Sequence, residues 1–310
     1  MNQAERPRKQ SVQTTGHAWD GDIQEYNNPL PNWWVWAFYA SVVFVLIYWL
    51  LYPAFPWGKG FTTGMFNTIT FTNRAGDEVT THWNTRSLLI ADMQRGDEAV
   101  RHREYMSKVA ATPYEAILSD PEMMGFVRSS AKVMFADNCA GCHGAGANGV
   151  VGLFPSLVDD DWLWGGSIDE IHETLVQGRL GFMPAYSGVF DAVQLDAVAQ
   201  YVLSLSGIEG GESVAIESGR EIFQGEVGGC YYCHTPAGTG LKSQGAANLT
   251  DAVWTIVDVP GAESYEAKLG AVKRVISDGV QRKMPGMKDR LSPEQIKLLT
   301  VYVHQLGGGG

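Results

Sequence analysis

Two Cys-x-x-Cys-His pentads contain every cysteine of this 310-residue chain. Their sequences are C-A-G-C-H and C-Y-Y-C-H, with the functional side chains Cys139, Cys142 and His143 in the first and Cys230, Cys233 and His234 in the second. This pentad is the signature of covalent c-type haem attachment. One helical turn brings both thiols under the two vinyl groups, and the next residue brings an imidazole to the iron. The sequence therefore predicts two covalently bound c-type haems.

Two other uses of paired cysteines fit this sequence less well. A paired C-x-x-C zinc site has roughly 15–20 residues between its halves, whereas 87 residues separate Cys142 from Cys230. A redox dithiol needs no histidine directly after the second cysteine, and both pairs have one. These comparisons favour haem at each pentad, with His143 and His234 as iron ligands.

A repeated Gly-x4-Met-Pro segment follows each pentad and offers a second iron ligand. The copies begin at Gly178 and Gly279 and reach Met183 and Met284, which lie 40 and 50 residues after the two histidines. Methionine paired with histidine raises the potential of haem iron, whereas a lone methionine is more often a flexible core side chain. The repeated context predicts Met183 and Met284 as ligands, and Met287 remains an alternative to Met284.

The two copies share one plan: a helix, the pentad, glycine-rich loops, Met-Pro and a final helix. Helices are indicated over residues 127–136 and 216–223, and apolar residues recur at helical spacing in two final helices that align at an offset of 101 residues. This is the plan of a small cytochrome c domain. The predicted fold class is all-α, with one N-terminal transmembrane helix and two tandem cytochrome c-like domains, residues 125–208 and 209–310.

Residues 33–52 form a 20-residue apolar stretch with aromatic residues at both ends. As a helix it would span about 30 Å, the thickness of a hydrocarbon core. A cleaved signal peptide has an apolar region of only about 7–15 residues, followed by a small-residue cleavage site. The sequence therefore predicts a cytoplasmic segment over residues 1–32, a membrane anchor over 33–57 and a periplasmic connecting segment over 58–124. The role of the connecting segment stays open.

Charge and haem attachment together indicate the orientation of the chain. Arg6, Arg8 and Lys9 precede the span, which favours a cytoplasmic N-terminus. Haem is attached to C-x-x-C-H outside the cytoplasmic membrane in bacteria, so we expect both haem domains in the periplasm. The net charge of −11 argues against nucleic acid as a partner, because phosphate binding needs a basic surface.

The acidic residues concentrate in the predicted periplasmic part. Three of the 23 basic and four of the 34 acidic residues precede residue 59, which leaves 20 basic and 30 acidic residues from residue 59 onward. An acidic surface would steer a basic cytochrome c toward the haems. Keeping the domain soluble is an equally good explanation of this charge.

The chain resembles the di-haem membrane-anchored subunit, called CcoP or FixP (subunit III), of cbb3-type cytochrome c oxidases. The resemblance extends from about Asp20 through nearly the whole chain. It is carried by Y-N-N-P-L-P-N-W-W at residues 26–34, F-P-S-L at 154–157, D-W-L-W-G-G at 161–166, and the segments Gly178-Arg179 and Met183-Pro184. The segment over residues 61–82 departs from the family pattern and has the character of an insertion.

This resemblance implies an electron-transfer role without catalysis by the chain itself. Electrons would come from a soluble or anchored periplasmic cytochrome c and pass through both haems to a mono-haem subunit. A catalytic haem-copper subunit would then reduce oxygen to water and pump protons. A freestanding anchored di-haem carrier is the alternative, and a di-haem peroxidase is disfavoured because both copies contain Met-Pro. The partners implied are those oxidase subunits, the donor cytochrome and membrane lipid.

Overall fold

The computed structural model describes residues 13–307. The basic cluster at Arg6, Arg8 and Lys9 and the last three glycines lie outside the described residues. The chain divides into two compact units, and the division falls between His102 and Arg103.

The first unit consists of one long helix, three small hairpins and a shorter helix. Its elements are β1 (Thr14–Trp19), β2 (Ile23–Tyr26), α1 (Asn32–Leu51), β3 (Pro56–Trp57), β4 (Gly60–Phe61), β5 (Thr68–Thr72), β6 (Glu78–His82) and α2 (Thr85–Arg95). The strands pair antiparallel as β1 with β2, β3 with β4, and β5 with β6. Helix α2 is capped by Asn84, whose side chain accepts a hydrogen bond from the Ser87 N–H at 2.8 Å.

Helix α1 matches the predicted membrane span to within one residue at each end. It is 20 residues long, none of its side chains is buried in the first unit, and among the described residues it is the one helix long and apolar enough to cross a membrane. Tyr52 ends the helix in an extended conformation, since Pro53 cannot donate the next backbone hydrogen bond. The sequence prediction of this helix is confirmed.

Helix α3 (Asp97–Ala111) runs across the division, and the second unit contains the remaining elements. They are α4 (Tyr114–Ser119), α5 (Pro121–Asn138), α6 (Ala140–His143), α7 (Ile168–Gln177), β7 (Gly178–Met183), α8 (Ala192–Leu205), α9 (Ser213–Gln224), α10 (Tyr231–His234), α11 (Tyr265–Asp278), β8 (Val280–Pro285) and α12 (Pro293–His304). Helices α5 and α9 confirm the helices predicted ahead of the pentads, and α8 and α12 confirm the two final helices.

The prediction of an all-α chain is corrected by eight strands among the described residues. Threonine-rich sequence already indicates strand-like character between residues 61 and 82. Strands β7 and β8 carry no such signal, because each pairs with a segment about 100 residues away. Their hydrogen bonds depend on tertiary structure rather than on local sequence.

The final helices of the two sequence copies are exchanged. Helix α12 packs on α5 and α7, whereas α8 packs on α9 and α11. One core joins Phe135 of α5 to Leu299 of α12, and the other joins Val202 of α8 to Phe223 of α9 and Ile276 of α11. We call the group α5, α7 and α12 the first lobe, and the group α8, α9 and α11 the second lobe.

Because of this exchange, the two predicted haem domains do not coincide with the two packed lobes. The sequence repeat predicts that each final helix packs against the helix of its own copy, but residues 125–208 and 209–310 each contribute to both lobes. A short connection favours packing between consecutive helices, and only residues 206–212 join α8 to α9. The two final helices share their apolar pattern, so that pattern carries no signal for the exchange.

Candidate functional site

Each pentad forms one helical turn. The first turn follows α5 directly, and the second follows α9 after a short loop. Cys139 links α5 to α6, and its N–H donates to the Phe135 carbonyl at 2.8 Å. All four cysteines are free thiols; Cys142 and Cys233 are exposed, whereas Cys139 is buried and Cys230 is half-buried. Thioether attachment of haem needs unpaired thiols, and both turns provide a pair.

The pKa of the first cysteine in each pentad argues against a redox dithiol. Burial raises the pKa of the Cys139 thiol to about 11, and burial likewise raises the pKa of the Cys230 thiol to about 11. Thiol–disulfide enzymes need a depressed pKa, because the thiolate is the nucleophile. Thiols held in the protonated form are poor nucleophiles for disulfide exchange.

Both histidines are oriented by a backbone carbonyl. Nδ1 of His143 lies 3.0 Å from the Pro155 carbonyl oxygen, and Nδ1 of His234 lies 2.9 Å from that of Ala247. Because a carbonyl only accepts, Nδ1 carries the proton and Nε2 keeps the lone pair that binds a metal. Burial lowers the pKa of His234, with the bond to the Ala247 carbonyl opposing it, so the neutral, metal-binding form is favoured.

The two Gly-x4-Met-Pro segments pair with each other. They form the antiparallel ribbon β7–β8, in which Gly178 lies opposite Pro285 and Met183 lies opposite Val280. Met183 is half-buried on this ribbon, while its neighbour Phe182 is exposed. The sequence repeat thus corresponds to an approximate two-fold relation between the two segments.

Each predicted methionine ligand packs into the lobe that contains the other copy's pentad. Met284 packs against the first-lobe core, which includes Cys139. Met183 packs against the second-lobe core, together with Cys230. The Tyr186 hydroxyl, three residues after Met183, donates to the Gly228 carbonyl at 2.8 Å, which holds the first Met-Pro loop beside the second pentad.

Met287 occupies a different place from Met284. It is buried in the first-lobe core, and its N–H donates to the Leu175 carbonyl of α7 at 2.7 Å. Met284 is half-buried on the ribbon at the edge of the same core. Met287 therefore fills the core, whereas Met284 has the same ribbon environment as Met183.

Each Gly-x4-Met-Pro motif begins with glycine because the other motif approaches its backbone closely at that position. Gly178 has φ +75°, and a Cβ there would lie 2.3 Å from the Met284 carbonyl oxygen. Gly279 has φ +72°, and its Cβ would lie 2.6 Å from the Met183 carbonyl oxygen. A side chain fits neither position, because both the conformation and the space exclude it. The glycines allow the two methionine segments to approach each other.

Arg179 is already bound by protein groups. Its Nε donates to the Thr174 hydroxyl at 2.8 Å, it pairs with Glu173 at 3.3 Å, and its guanidinium lies 5.1 Å from the centre of the Trp164 ring. These contacts tie β7 to α7. Arg179 therefore has a structural role in the first lobe.

The residues present fit a haem in each lobe. Each lobe has two free thiols and an imidazole with a free Nε2. Near the first pentad, the Trp162 indole N–H is buried and has no hydrogen-bond partner among the described residues. A buried donor of this kind needs an acceptor, and a haem propionate is an acceptor of suitable charge.

Asp161, beside Trp162, has a strongly perturbed carboxyl group. Its Oδ2 is buried and has no hydrogen-bond partner among the residues that the structure describes. Burial raises the pKa of Asp161 to about 6, the charges of Asp251, Asp159 and Asp160 act in the same direction, and Lys242 opposes them. The folded protein therefore disfavours the ionised form.

This pKa predicts a pH dependence of stability. Between the ordinary value of 3.8 and about 6, the folded state keeps a proton that the unfolded state has lost, so the free energy of unfolding falls as pH rises. Asp161→Asn should remove this slope and stabilise the protein at pH 7 by about 1 kcal/mol, after allowance for solvent screening. Denaturant titrations at pH 4 and pH 7 measure the effect, with the exposed Asp289→Asn as control. An unchanged slope in Asp161→Asn would contradict it.

Two helical lobes that each carry a C-x-x-C-H turn and an oriented histidine define a c-type cytochrome. The family model for cytochrome c oxidase, cbb3-type, subunit III, matches residues 128–202 and 214–303. The model for the N-terminal domain of cytochrome oxidase-cbb3, FixP, matches residues 11–59. The chain belongs to the FixP/CcoP family of cbb3-type cytochrome c oxidase subunits, which confirms the resemblance seen in the sequence.

Relatives of this chain match over nearly their whole length. The FixP subunit of a cbb3-type cytochrome c oxidase from Azorhizobium caulinodans is 40% identical over 307 residues, with 96% of this chain and 93% of the relative covered. The CcoP subunit from Cereibacter sphaeroides is 36% identical, with 96% and 95% covered. The CcoP subunit from Azospirillum brasilense is 34% identical with both chains fully covered. Family membership makes this chain an electron-transport protein whose cytochrome c domains imply covalent haem.

Proposed function

We propose that this chain accepts electrons for a cbb3-type terminal oxidase. Two covalent c-type haems would take electrons from a periplasmic cytochrome c and pass them toward the mono-haem and catalytic haem-copper subunits, where oxygen is reduced to water. The observation that carries this proposal is the match of the family model for subunit III of cbb3-type cytochrome c oxidase to both pentad regions. The β7–β8 ribbon supports it, because both candidate methionine ligands belong to these two paired strands. The haems supply reversible one-electron chemistry, and the chain itself supplies attachment, iron ligands and docking surfaces.

The packing supports a crosswise assignment of the iron ligands. One haem would be held by Cys139, Cys142 and His143 with Met284, and the other by Cys230, Cys233 and His234 with Met183. The sequence alone favours each methionine within its own copy. The crosswise set is supported by the cores, which group Met284 with Cys139 and Met183 with Cys230.

The ribbon couples the two haem sites mechanically. Strands β7 and β8 pair with each other over six residues each, so neither methionine can leave its lobe without disturbing the other strand. The Arg282 guanidinium also donates to the Gly152 carbonyl, and the Gly152 N–H donates to the Thr255 carbonyl at 3.0 Å. These bonds join loops of the two lobes and favour a fixed haem-to-haem arrangement.

Helix α1 serves as a single membrane anchor in this proposal, with the haem lobes on the periplasmic side of the bacterial inner membrane. The length and composition of α1 support the anchor, and the need to attach haem outside the cytoplasm supports the orientation. The acidic surplus beyond residue 58 would attract a basic donor cytochrome and make its encounter rate depend on salt.

Purification through this chain in a mild detergent tests the proposed function. We expect haem b and copper to accompany haem c, and oxygen uptake with reduced cytochrome c to fall as ionic strength rises, because salt screens charge steering. A chain that arrives with haem c alone, from a preparation that retains other intact membrane complexes, would contradict the oxidase role. That result would instead support a freestanding electron carrier.

A further inference from the structure

The chain folds back onto the end of α1 immediately after leaving it. The Met65 N–H donates to the Leu50 carbonyl at 2.8 Å, and the Asn67 side-chain amide donates to the Leu51 carbonyl at 3.1 Å. Gly64 has φ +74°, and a Cβ there would lie 2.4 Å from the Leu51 carbonyl oxygen. The last carbonyls of a helix have no partner within it, so residues 53–67, which we call the collar, close the end of α1.

The collar is a built element rather than a loose linker. The Thr62 N–H donates to the Phe55 carbonyl at 2.8 Å, and the Phe55 N–H donates to the Thr62 hydroxyl at 3.1 Å. The Phe55 ring packs 4.9 Å from the ring of Trp49 in α1. These contacts and the β3–β4 pair fix the collar to the helix from which it emerges.

This fixed element presents large aromatic side chains outward. Within ten residues, Trp57 is 75% exposed, Phe61 is 70% exposed and Phe66 is 85% exposed. Phe66 also has φ +72°, a left-handed conformation that is unfavourable for a residue with a side chain. The flanking bonds of Met65 and Asn67 hold it there, so the fold retains a strained backbone while presenting an aromatic ring to its surroundings.

We propose that the collar is seated in the lipid interface of the membrane that α1 crosses, with Trp57, Phe61 and Phe66 as its lipid contacts. This inference rests on the proposed membrane anchoring of α1. Twenty helical residues span about 30 Å, so the end of α1 coincides with the edge of the hydrocarbon. Aromatic rings are favoured at that depth, and the cation of Lys59 can reach lipid phosphate while its stem lies along apolar surface.

Lipid is the expected partner of the collar because the exposed surface of the collar continues that of helix α1. The exposed rings lie within 15 residues of the end of α1, and the side chains of α1 are themselves unburied in the first unit. The collar would then fix the direction in which the chain leaves the membrane. Residues that in the sequence have only the character of an insertion would gain a defined role in this way.

Photo-crosslinking of the full chain in its own membrane tests this inference. The photoreactive residue p-benzoylphenylalanine is placed at Phe66, at Val43 in the middle of α1, or at Ala75 in the turn between β5 and β6. That turn lies about 16 Å from Asn67 along a five-residue strand. Mass spectrometry of the illuminated protein is expected to find phospholipid adducts at positions 43 and 66, with at least a tenfold lower yield at position 75.

The three positions separate the collar from the anchor. A lipid adduct at position 43 together with a yield at 66 as low as that at 75 would overturn the collar proposal and leave the anchor intact. Absence at position 43 of both lipid adducts and adducts to other membrane subunits would overturn the anchoring, and the collar proposal with it. An adduct from position 66 to another protein chain would show that the collar is a subunit interface and would overturn the lipid assignment. A lipid yield at 75 as high as that at 66 would remove any special role for the collar.

Discussion

Replacing Met284 with leucine is expected to change the haem proposed at Cys139 and Cys142, although 140 residues separate Met284 from that pentad. Met284 packs in the core that contains Cys139, and loss of a thioether ligand lowers the potential of haem iron. We expect the midpoint potential of this haem to fall by on the order of 0.1 V, and the reduced iron to bind carbon monoxide. The other haem should keep its potential.

The redox titration must report the potential of one haem without a signal from the other. In a Cys230→Ser, Cys233→Ser background, redox titration reports only the first haem, and Met183→Leu in that background is the matched control. If Met183→Leu lowers this potential and Met284→Leu does not, each methionine serves its own copy and the crosswise assignment is wrong. A shift with Met287→Leu alone would move the ligand to Met287.

A second measurement covers the case in which the single-haem background fails to fold. In the protein with both pentads intact, Met284→Leu should speed amide hydrogen exchange in α5 and α12, because these helices form the first lobe. Met183→Leu should do so in α8 and α9. The reverse pattern would contradict the lobe assignment independently of any redox measurement.

Replacing Gly279 with alanine is expected to destabilise the protein strongly and to disturb the haem of the second lobe. The new Cβ would lie 2.6 Å from the Met183 carbonyl oxygen, at a φ of +72°. Since the opposing atom belongs to the backbone, strand β7 must move. The combined strain and overlap should cost about 3 kcal/mol. Denaturant unfolding followed by haem absorbance measures the loss.

Gly181→Ala is the matched control on the same ribbon. A Cβ there would come no closer than 3.9 Å to the Arg282 carbonyl oxygen, and its φ lies outside the left-handed region. We expect its effect to stay below about 1 kcal/mol. Equal losses for Gly279→Ala and Gly181→Ala would show that the close approach of the two methionine segments does not limit stability.

Features governed by neighbouring residues could be predicted from the sequence. The pentads need only one helical turn, and α6 and α10 provide it. The Ser292 hydroxyl also caps α12 by accepting a hydrogen bond from the Gln295 N–H, and Pro293 is the first residue of that helix, which is the local pattern typical of a helix start. The carbonyls of Pro155 and Ala247 that orient the histidines were missed, because every residue has a carbonyl and the sequence does not distinguish these two.

By itself, the sequence determined the chemistry of the chain: haem attachment, candidate iron ligands, a helix long enough to cross a membrane, and the helices of both copies. Each of these depends on residue type and on spacing within a few turns. Only the tertiary structure decided which methionine lies with which pentad and which final helix completes which core. The sequence repeat predicts that each methionine and each final helix belong with the pentad of their own copy, and residue type and local spacing carry no signal for the exchanged packing. The short connection of residues 206–212 favours the packing of α8 on α9, and that packing exchanges the two final helices.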